Sequence, residues 1–215
     1  MLFIVRSNRT IRSNMKSSFN SDNLESALTL LADRLDLAQT EYVRLVVCGG
    51  SALIAMRLRE RTTKDVDVVA LMNEAHELVS PDPLPEFLLT AANQVARDLG
   101  LLEDWLHNGP SRGEGGLFQM GLPVGFITRL TEKRYGPRLS VYFIAREDQI
   151  HFKLYAAADQ RSGAHLNDLI AIKPTAAELE TAARWAMTHD VSEGFKMVLQ
   201  ELLNRMGHES VAQRL

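Results

Sequence analysis

The sequence predicts an α/β front half followed by a helical C-terminal part. Up to about residue 145, apolar runs rich in β-branched residues alternate with helical patterns, and only helical patterns follow. An alternation of strands and helices is typical of α/β domains. With 215 residues, of which 46% are hydrophobic and 24% charged, the chain is long enough to bury one core of good size.

The N-terminal segment is predicted to be a flexible arm that precedes the folded core. Residues 1–20 contain three arginines and one lysine but no acid, and they are rich in serine and asparagine. A helix should follow, because Asp22 and Glu25 have the spacing of a capping box and leucines then recur on one helical face.

The core is predicted between residues 21 and 150, with two short buried strands at its centre. Residues 42–48 are mostly apolar and end at two glycines, and residues 66–72 form a second apolar run. A helix over 52–61 should connect them. The glycine-rich stretch 107–125 is predicted to be a mobile loop. A helix is expected over 86–99, where Gly100 should end it. A strand over 138–145 and a helix from Glu147 to about residue 160 should follow.

Residues 151–215 are predicted to form a helical part that packs on this core. A short helix is expected over 165–172. Thr175 and Glu178 repeat the capping-box spacing, and Ser192 opens the last helix, which should stop at Gly207.

Composition and charge limit the classes of function. The net charge of −3 gives no overall basic field for nucleic acid, although a local basic patch could still bind it. The apolar runs are too short to span a bilayer, so no membrane partner is expected. The single cysteine, Cys48, excludes an intrachain disulfide and suits a buried position in a cytoplasmic protein.

Two aspartates on the second predicted strand are the most informative feature. Side chains at i and i+2 of a strand point the same way, so Asp65 and Asp67 share one face and Val66 and Val68 the other. Two neighbouring carboxylates resist ionisation unless a cation lies between them, and Mg²⁺ binds carboxylate and phosphate oxygens. The pattern therefore predicts a magnesium site, with a plain surface edge as the structural alternative.

The turn after the first strand supplies a candidate phosphate site. Gly49 and Gly50 would let the backbone approach a ligand, and Ser51 could donate a hydrogen bond at a helix start. An ordinary turn is the alternative for this motif alone. The spacing to Asp65 leaves room for one helix, so that both motifs would meet at one edge of the sheet.

The stretch "VVCGGSALIAMRLRERTTKDVDVV" resembles the signature of the DNA-polymerase-β-like nucleotidyltransferases. The resemblance covers roughly residues 40–205 and is closer to AbiEii/MenT-type bacterial toxin nucleotidyltransferases. It is closer still to an uncharacterised bacterial group of nucleotidyltransferase-like proteins, in which we expect phrases such as "LGLLEDWL" and "LSVYFIAREDQIHFKLYAA". The resemblance implies a nucleotidyltransferase fold with a small mixed sheet flanked by helices.

The same resemblance implies roles for individual residues. Gly49, Gly50 and Ser51 would hold a nucleoside triphosphate such as ATP, and Asp65 and Asp67 would hold Mg²⁺ and act in catalysis. Two further catalytic positions of the toxin branch match Lys153 and Asp168. These two residues lie on largely apolar helical stripes, which a buried Lys153–Asp168 pair would also explain.

The basic residues before the aspartates are candidates for binding phosphate groups. Arg61 and Lys64 belong to a cluster with Arg57 and Arg59, and they could contact a triphosphate or an RNA backbone. A solvated helix face is the alternative. Trp105 is expected in the core, with base stacking as the functional alternative.

One departure from the family pattern concerns the general base. Many polymerase-β-like enzymes carry a third carboxylate on a later strand, whereas residues 138–145 contain no acid. Glu147 and Asp148 follow at once but suit a helix start.

Two functions therefore stay open. The first is an Mg²⁺-dependent nucleotidyltransferase acting on an RNA such as a tRNA 3′ end, a protein hydroxyl or a small molecule. The second is a non-catalytic module that binds nucleotide, RNA or a partner protein, for example the antitoxin of a toxin–antitoxin pair.

Overall fold

The computed structural model describes residues 18–58, 62–161 and 163–215. Within these ranges, helices and strands alternate in the first two thirds and only helices follow. In chain order the strands are β1 (Val43–Cys48), β2 (Val66–Met72), β3 (Leu78–Val79), β4 (Leu106–His107), β5 (Thr131–Arg134) and β6 (Leu139–Phe143). The α-helices are α1 (Ser21–Leu37), α2 (Gly49–Ala55), α3 (Glu86–Leu99), α4 (Leu117–Met120), α5 (Arg146–Asp159), α6 (Gly163–Ile172), α7 (Ala176–His189), α8 (Glu193–Arg205) and α9 (Glu209–Ala212).

The described strands form one mixed sheet in the order β3-β2-β1-β6-β5, and β4 pairs with β2 beside this path. β1 runs antiparallel to β2 and parallel to β6, while β4 runs parallel to β2. This arrangement confirms the predicted combination of a small mixed sheet with helices. The nucleotidyltransferase fold itself remains a prediction.

Each face of the sheet is covered by different helices. On one face, alternate strand residues such as Val68 and Val141 pack against apolar side chains of α1 and α3, among them Leu28 and Leu88. On the other face, residues such as Val46 and Ile144 pack against Phe152 of α5. Because side chains of β1, β2 and β6 point alternately to the two faces, the same strands contribute to two cores.

The C-terminal helices build a third core that continues from α5. Ile150 and Leu154 of α5 pack with residues of α7 and α8 such as Leu179 and Leu199, and with Leu53 of α2. The boundary predicted at residue 150 lies inside α5, because this helix contributes side chains both to the sheet and to the helical part.

Most elements were predicted close to their observed bounds. β1, β2, β6 and α3 are confirmed, and Gly100 ends α3 in the left-handed conformation at φ 66°. Thr175 and Glu178 form the predicted capping box of α7, and Ser192 caps α8. α1 begins two residues earlier than expected, because the N-cap is Asn20, whose side chain accepts a hydrogen bond from the Asn23 N–H, and not Asp22.

Three local predictions were wrong. The helix expected over 52–61 is α2, which begins at Gly49 and ends at Ala55. The stretch 107–125, predicted to be a mobile loop, contains α4 and a short 3-10 helix over Gly109–Ser111. Residues 1–17 of the predicted arm lie outside the described residues, but Phe19 near its end is fully buried and pairs with Thr63.

Within the described ranges, every helix is too short or too polar to cross a membrane.

Candidate metal and nucleotide site

Three neighbouring strands bring the candidate site together at one level of the sheet. Cys48, the last residue of β1, pairs with Asp67 of β2, and Asp67 pairs in turn with His107 of β4. The glycine turn follows Cys48 directly. The strand register therefore places this turn, both aspartates and a histidine at the same edge of the sheet, as predicted for the turn and the aspartates.

The aspartates and the histidine form a group that could hold a metal ion. The Thr63 hydroxyl donates to Asp65 Oδ1 at 2.9 Å, while Asp65 Oδ2 lies 3.8 Å from His107 Nε2. Asp67 Oδ1 lies 3.7 Å from the same nitrogen. One ligand atom of each residue lies within 4.8 Å of the others. The structure thus supports the prediction that Asp65 and Asp67 belong to a group that could hold a metal ion. The identity of the ion as Mg²⁺ remains a prediction.

The electrostatics of the group match a site for a cation. Burial, and after it the charge of Asp65, raises the pKa of Asp67 from 3.8 to about 6. The neighbouring His107 imidazole, together with the Thr63 hydroxyl, lowers the pKa of Asp65. Asp65 in turn raises the pKa of His107. The charge of Asp65 thus contributes to the raised pKa of Asp67, and a divalent ion between the two carboxylates would relieve this repulsion.

The two glycines are needed because the turn packs directly against the site. Gly49 has a positive φ of 71°, and a Cβ atom there would lie 2.1 Å from Asp67 Oδ2. A Cβ atom on Gly50 would lie 2.6 Å from Thr63 Oγ1. From the sequence, the role predicted for the glycines was to let the backbone approach a ligand. In the structure they also let the turn approach the carboxylate and its hydroxyl partner.

The prediction for Ser51 is corrected. Ser51 is fully buried, and its hydroxyl donates to the Cys48 carbonyl oxygen at 3.2 Å. Because α2 starts at Gly49, Ser51 lies in the first helical turn and its side chain turns back onto β1. The structure does not bring this hydroxyl to the site, so it offers no support for a contact with phosphate.

A cavity of about 640 Å³ opens over this edge of the sheet. The turn, Lys64, the two aspartates and His107 line one part of it, and α5 lines another with Lys153 and Tyr155. Pockets of 300–1,000 Å³ are the usual size for small-molecule and cofactor sites. The cavity therefore has the volume of a small-molecule or cofactor site.

Lys153 and Asp168 form a buried ion pair in the wall of the cavity. Lys153 Nζ lies 3.0 Å from Asp168 Oδ2, and their side chains are 7% and 0% exposed. Lys153 lines the cavity, whereas Asp168, on α6, does not. The buried pair that was the structural alternative is therefore observed, and the catalytic roles of Lys153 and Asp168 remain predictions.

His107 was missed by the sequence reasoning. No metal-ligand spacing relates it to the aspartates, and its proximity depends on the pairing of β4 with β2. The sequence offered only a local signal for His107. It is a polar residue at the end of the short apolar run after Asp104, and it precedes Asn108, Gly109 and Pro110.

The strand beside Asp67 on the side away from β1 is β4, and it carries no third carboxylate. β6 lies on the far side of β1, so no residue of 139–143 is next to Asp67, and β4 takes that place with His107. Glu147 and Asp148 lie in the first turn of α5, where both pair with Arg129 at 3.4 and 2.5 Å. They are helix-start residues, as expected.

The remaining candidates differ in their outcome. Lys64 is exposed and lines the cavity, which is compatible with its predicted contact with nucleotide. Arg61 lies outside the described residues, as does Arg59. Trp105 is fully buried and donates from Nε1 to the Ala92 carbonyl oxygen at 2.9 Å, which confirms the core position.

Comparisons of the chain with protein-family models, with curated proteins and with solved structures gave no match.

Proposed function

We propose that the chain is a divalent-cation-dependent nucleotidyltransferase, which transfers a nucleoside monophosphate from a nucleoside triphosphate to an acceptor hydroxyl. One observation carries this proposal. Asp65 and Asp67 direct one oxygen each toward the same region of a cavity of nucleotide size, and the wall of that cavity includes the ammonium group of Lys153.

The residues present fit a divalent cation. Two carboxylate oxygens converge, and neither carboxylate has a described lysine or arginine within ion-pair distance. A cation held by Asp65 and Asp67 would polarise the α-phosphate and screen the charge of the leaving pyrophosphate. Mg²⁺ is the ion that the two carboxylates predict.

The protein's own groups hold the substrate for an in-line displacement. The oxygen of the acceptor hydroxyl bonds to the α-phosphorus, the bond to the pyrophosphate oxygen breaks, and the hydroxyl proton leaves to solvent in the open cavity. Lys153, fixed by Asp168, lies where it would offset negative charge on the phosphates. Its contribution should grow as charge develops during the transfer.

A binding module without catalysis is the second candidate. The observation that favours it is the residue beside Asp67 on β4, which is His107 and not a carboxylate. Such a module would bind the same metal–nucleotide complex and transfer nothing.

Binding and transfer measured on the same protein test both candidates. Calorimetry with each nucleoside triphosphate and Mg²⁺ should show binding to the wild type, and Asp65→Asn with Asp67→Asn should abolish it. Asp22→Asn with Asp33→Asn is the matched control, because it removes two exposed charges on α1. An unchanged affinity in the first double variant would overturn the metal-site assignment.

The transfer assay then separates the enzyme from the module. The wild type is incubated with triphosphates labelled at the α-phosphate, Mg²⁺ and either total tRNA or lysate. We expect label on one acceptor, and none with the double aspartate variant. Binding without transfer to any RNA, protein or small molecule would favour the module.

A further inference from the structure

The imidazole of His107 is held in one tautomer by its neighbour. The Gly109 N–H donates to His107 Nδ1 at 2.9 Å. A neutral imidazole has one donor and one acceptor nitrogen, so an accepting Nδ1 leaves the proton on Nε2. The nitrogen that faces the aspartates therefore carries a hydrogen atom.

A histidine that ligates a metal through Nε2 has the opposite arrangement. Such a ring donates its Nδ1–H to a carbonyl, carboxylate or water. His107 has the other tautomer, because its Nδ1 accepts from the Gly109 N–H. Its Nε2, which lies 3.8 and 3.7 Å from the nearest oxygens of Asp65 and Asp67, therefore carries the hydrogen atom.

We propose that His107 binds a phosphate group of the substrate through Nε2–H and does not ligate the cation. This inference rests on the proposed function, because it assigns the same cavity a polyphosphate. An ion held by two carboxylates keeps open positions for phosphate oxygens, which would then lie next to the ring. Phosphate oxygens are hydrogen-bond acceptors, and Nε2–H is a donor directed at that region.

A separate observation indicates that this cavity holds a polar ligand. Gln149 is fully buried and lines the cavity, and its Nε2 donates to the Gly49 carbonyl oxygen at 3.2 Å. Its Oε1 has no hydrogen-bond partner among the described residues. Buried polar atoms without a partner are rare in folded proteins and call for a specific reason. A bound ligand with a hydroxyl or amino group would supply the missing donor.

Manganese is the probe that tests the assignment, since bound Mn²⁺ reports directly coordinated nitrogen in pulsed electron paramagnetic resonance. Spectra are recorded for the full chain with Mn²⁺ alone and with Mn²⁺ plus a non-hydrolysable nucleoside triphosphate analogue. We expect no coupling from a coordinated imidazole nitrogen in either state. Such a coupling, or loss of the bare Mn²⁺ affinity by more than tenfold in His107→Ala, would overturn the inference.

Affinities of two variants complete the test. His107→Ala should change the affinity for Mn²⁺ alone by less than threefold and weaken binding of the Mn²⁺–analogue complex by about tenfold. His107→Gln, whose side-chain amide can also donate, should recover most of that loss. Equal analogue affinity in wild type and His107→Ala would contradict the assignment. If the wild type binds no analogue at all, the proposed function fails and the inference with it, whereas nitrogen coupling in an analogue complex overturns the inference alone.

Discussion

The two faces of β2 show how one strand serves two opposed demands. Val66 and Val68 are fully buried on one side, where they pack in the core beneath α1 and α3. Asp67 on the other side, and Asp65 directly before the strand, have side chains that are 21% and 43% exposed. Burial of the valines stabilises the fold, whereas the proximity of two carboxylates lowers stability until a cation is bound. Substitutions on the two sides should therefore have effects of opposite sign.

The largest effect is expected on the buried side of the site. Trp105 is fully buried, contacts Phe19 and precedes β4, so it fixes the strand that carries His107. Trp105→Ala should lower the free energy of unfolding by about 3–5 kcal/mol. Trp105→Phe should cost clearly less, because it keeps part of the ring volume. Urea denaturation followed by circular dichroism measures both, and similar losses would show that the ring volume is not what stabilises β4.

The buried ion pair should give the next largest effect. Asp168→Ala leaves the Lys153 ammonium group buried without its carboxylate, which should cost about 3 kcal/mol. Lys153→Met combined with Asp168→Leu removes both charges and should recover most of that loss. Thermal and urea denaturation of the wild type, Asp168→Ala and the double variant measures both changes in stability. A double variant as unstable as Asp168→Ala would mean that packing, and not charge, sets the cost.

On the cavity side, a substitution should increase stability. The pKa of Asp67 is raised from 3.8 to about 6, so the native state holds its proton over a range in which the unfolded state has lost it. The contribution of Asp67 to stability should therefore fall as pH rises from about 4 to about 6. Asp67→Asn should be more stable than the wild type by about 1–2 kcal/mol at pH 7.5 without divalent cation, and equal to it at pH 4.

Two controls sharpen that result. The pKa of Asp65 is lowered, so this carboxylate contributes stability above its unfolded pKa, and Asp65→Asn should show no gain at pH 7.5. Added Mg²⁺ or Mn²⁺ should raise the melting temperature of the wild type and leave Asp67→Asn unchanged. A stability difference between the wild type and Asp67→Asn that stays the same between pH 4 and pH 7.5 without cation would contradict the raised pKa of Asp67.

The smallest effect is expected at Ser51. Because its hydroxyl is buried against Cys48, Ser51→Ala should cost about 1 kcal/mol or less and leave the affinity for nucleotide unchanged. Calorimetry and a thermal melt on the same sample measure both quantities. A large loss of nucleotide affinity would restore the phosphate contact that the sequence predicted.

The sequence predicts those parts of the site that depend on local patterns. The alternation of Asp65 and Asp67 with valines indicates a strand with a polar face, and the stripe around Lys153 indicates an inward-facing helix position. His107 could not be predicted, because its place beside Asp67 depends on a parallel pairing between segments distant along the chain. Ser51 was misassigned for a local reason: the helix begins three residues earlier than expected, and this turns the hydroxyl back toward the strand.

The position of α5 has a consequence for the way the molecule unfolds. Ile150 belongs to the core of the C-terminal helices, Phe152 to the core on the sheet, and Gln149 and Lys153 to the cavity. A helix shared in this way leaves no point near residue 150 where one part could melt and the other remain. We expect a single cooperative transition in which the sheet and the C-terminal helices lose their structure together. A ligand that binds beside α5 would then protect amide hydrogens from exchange as far away as α7 and α8.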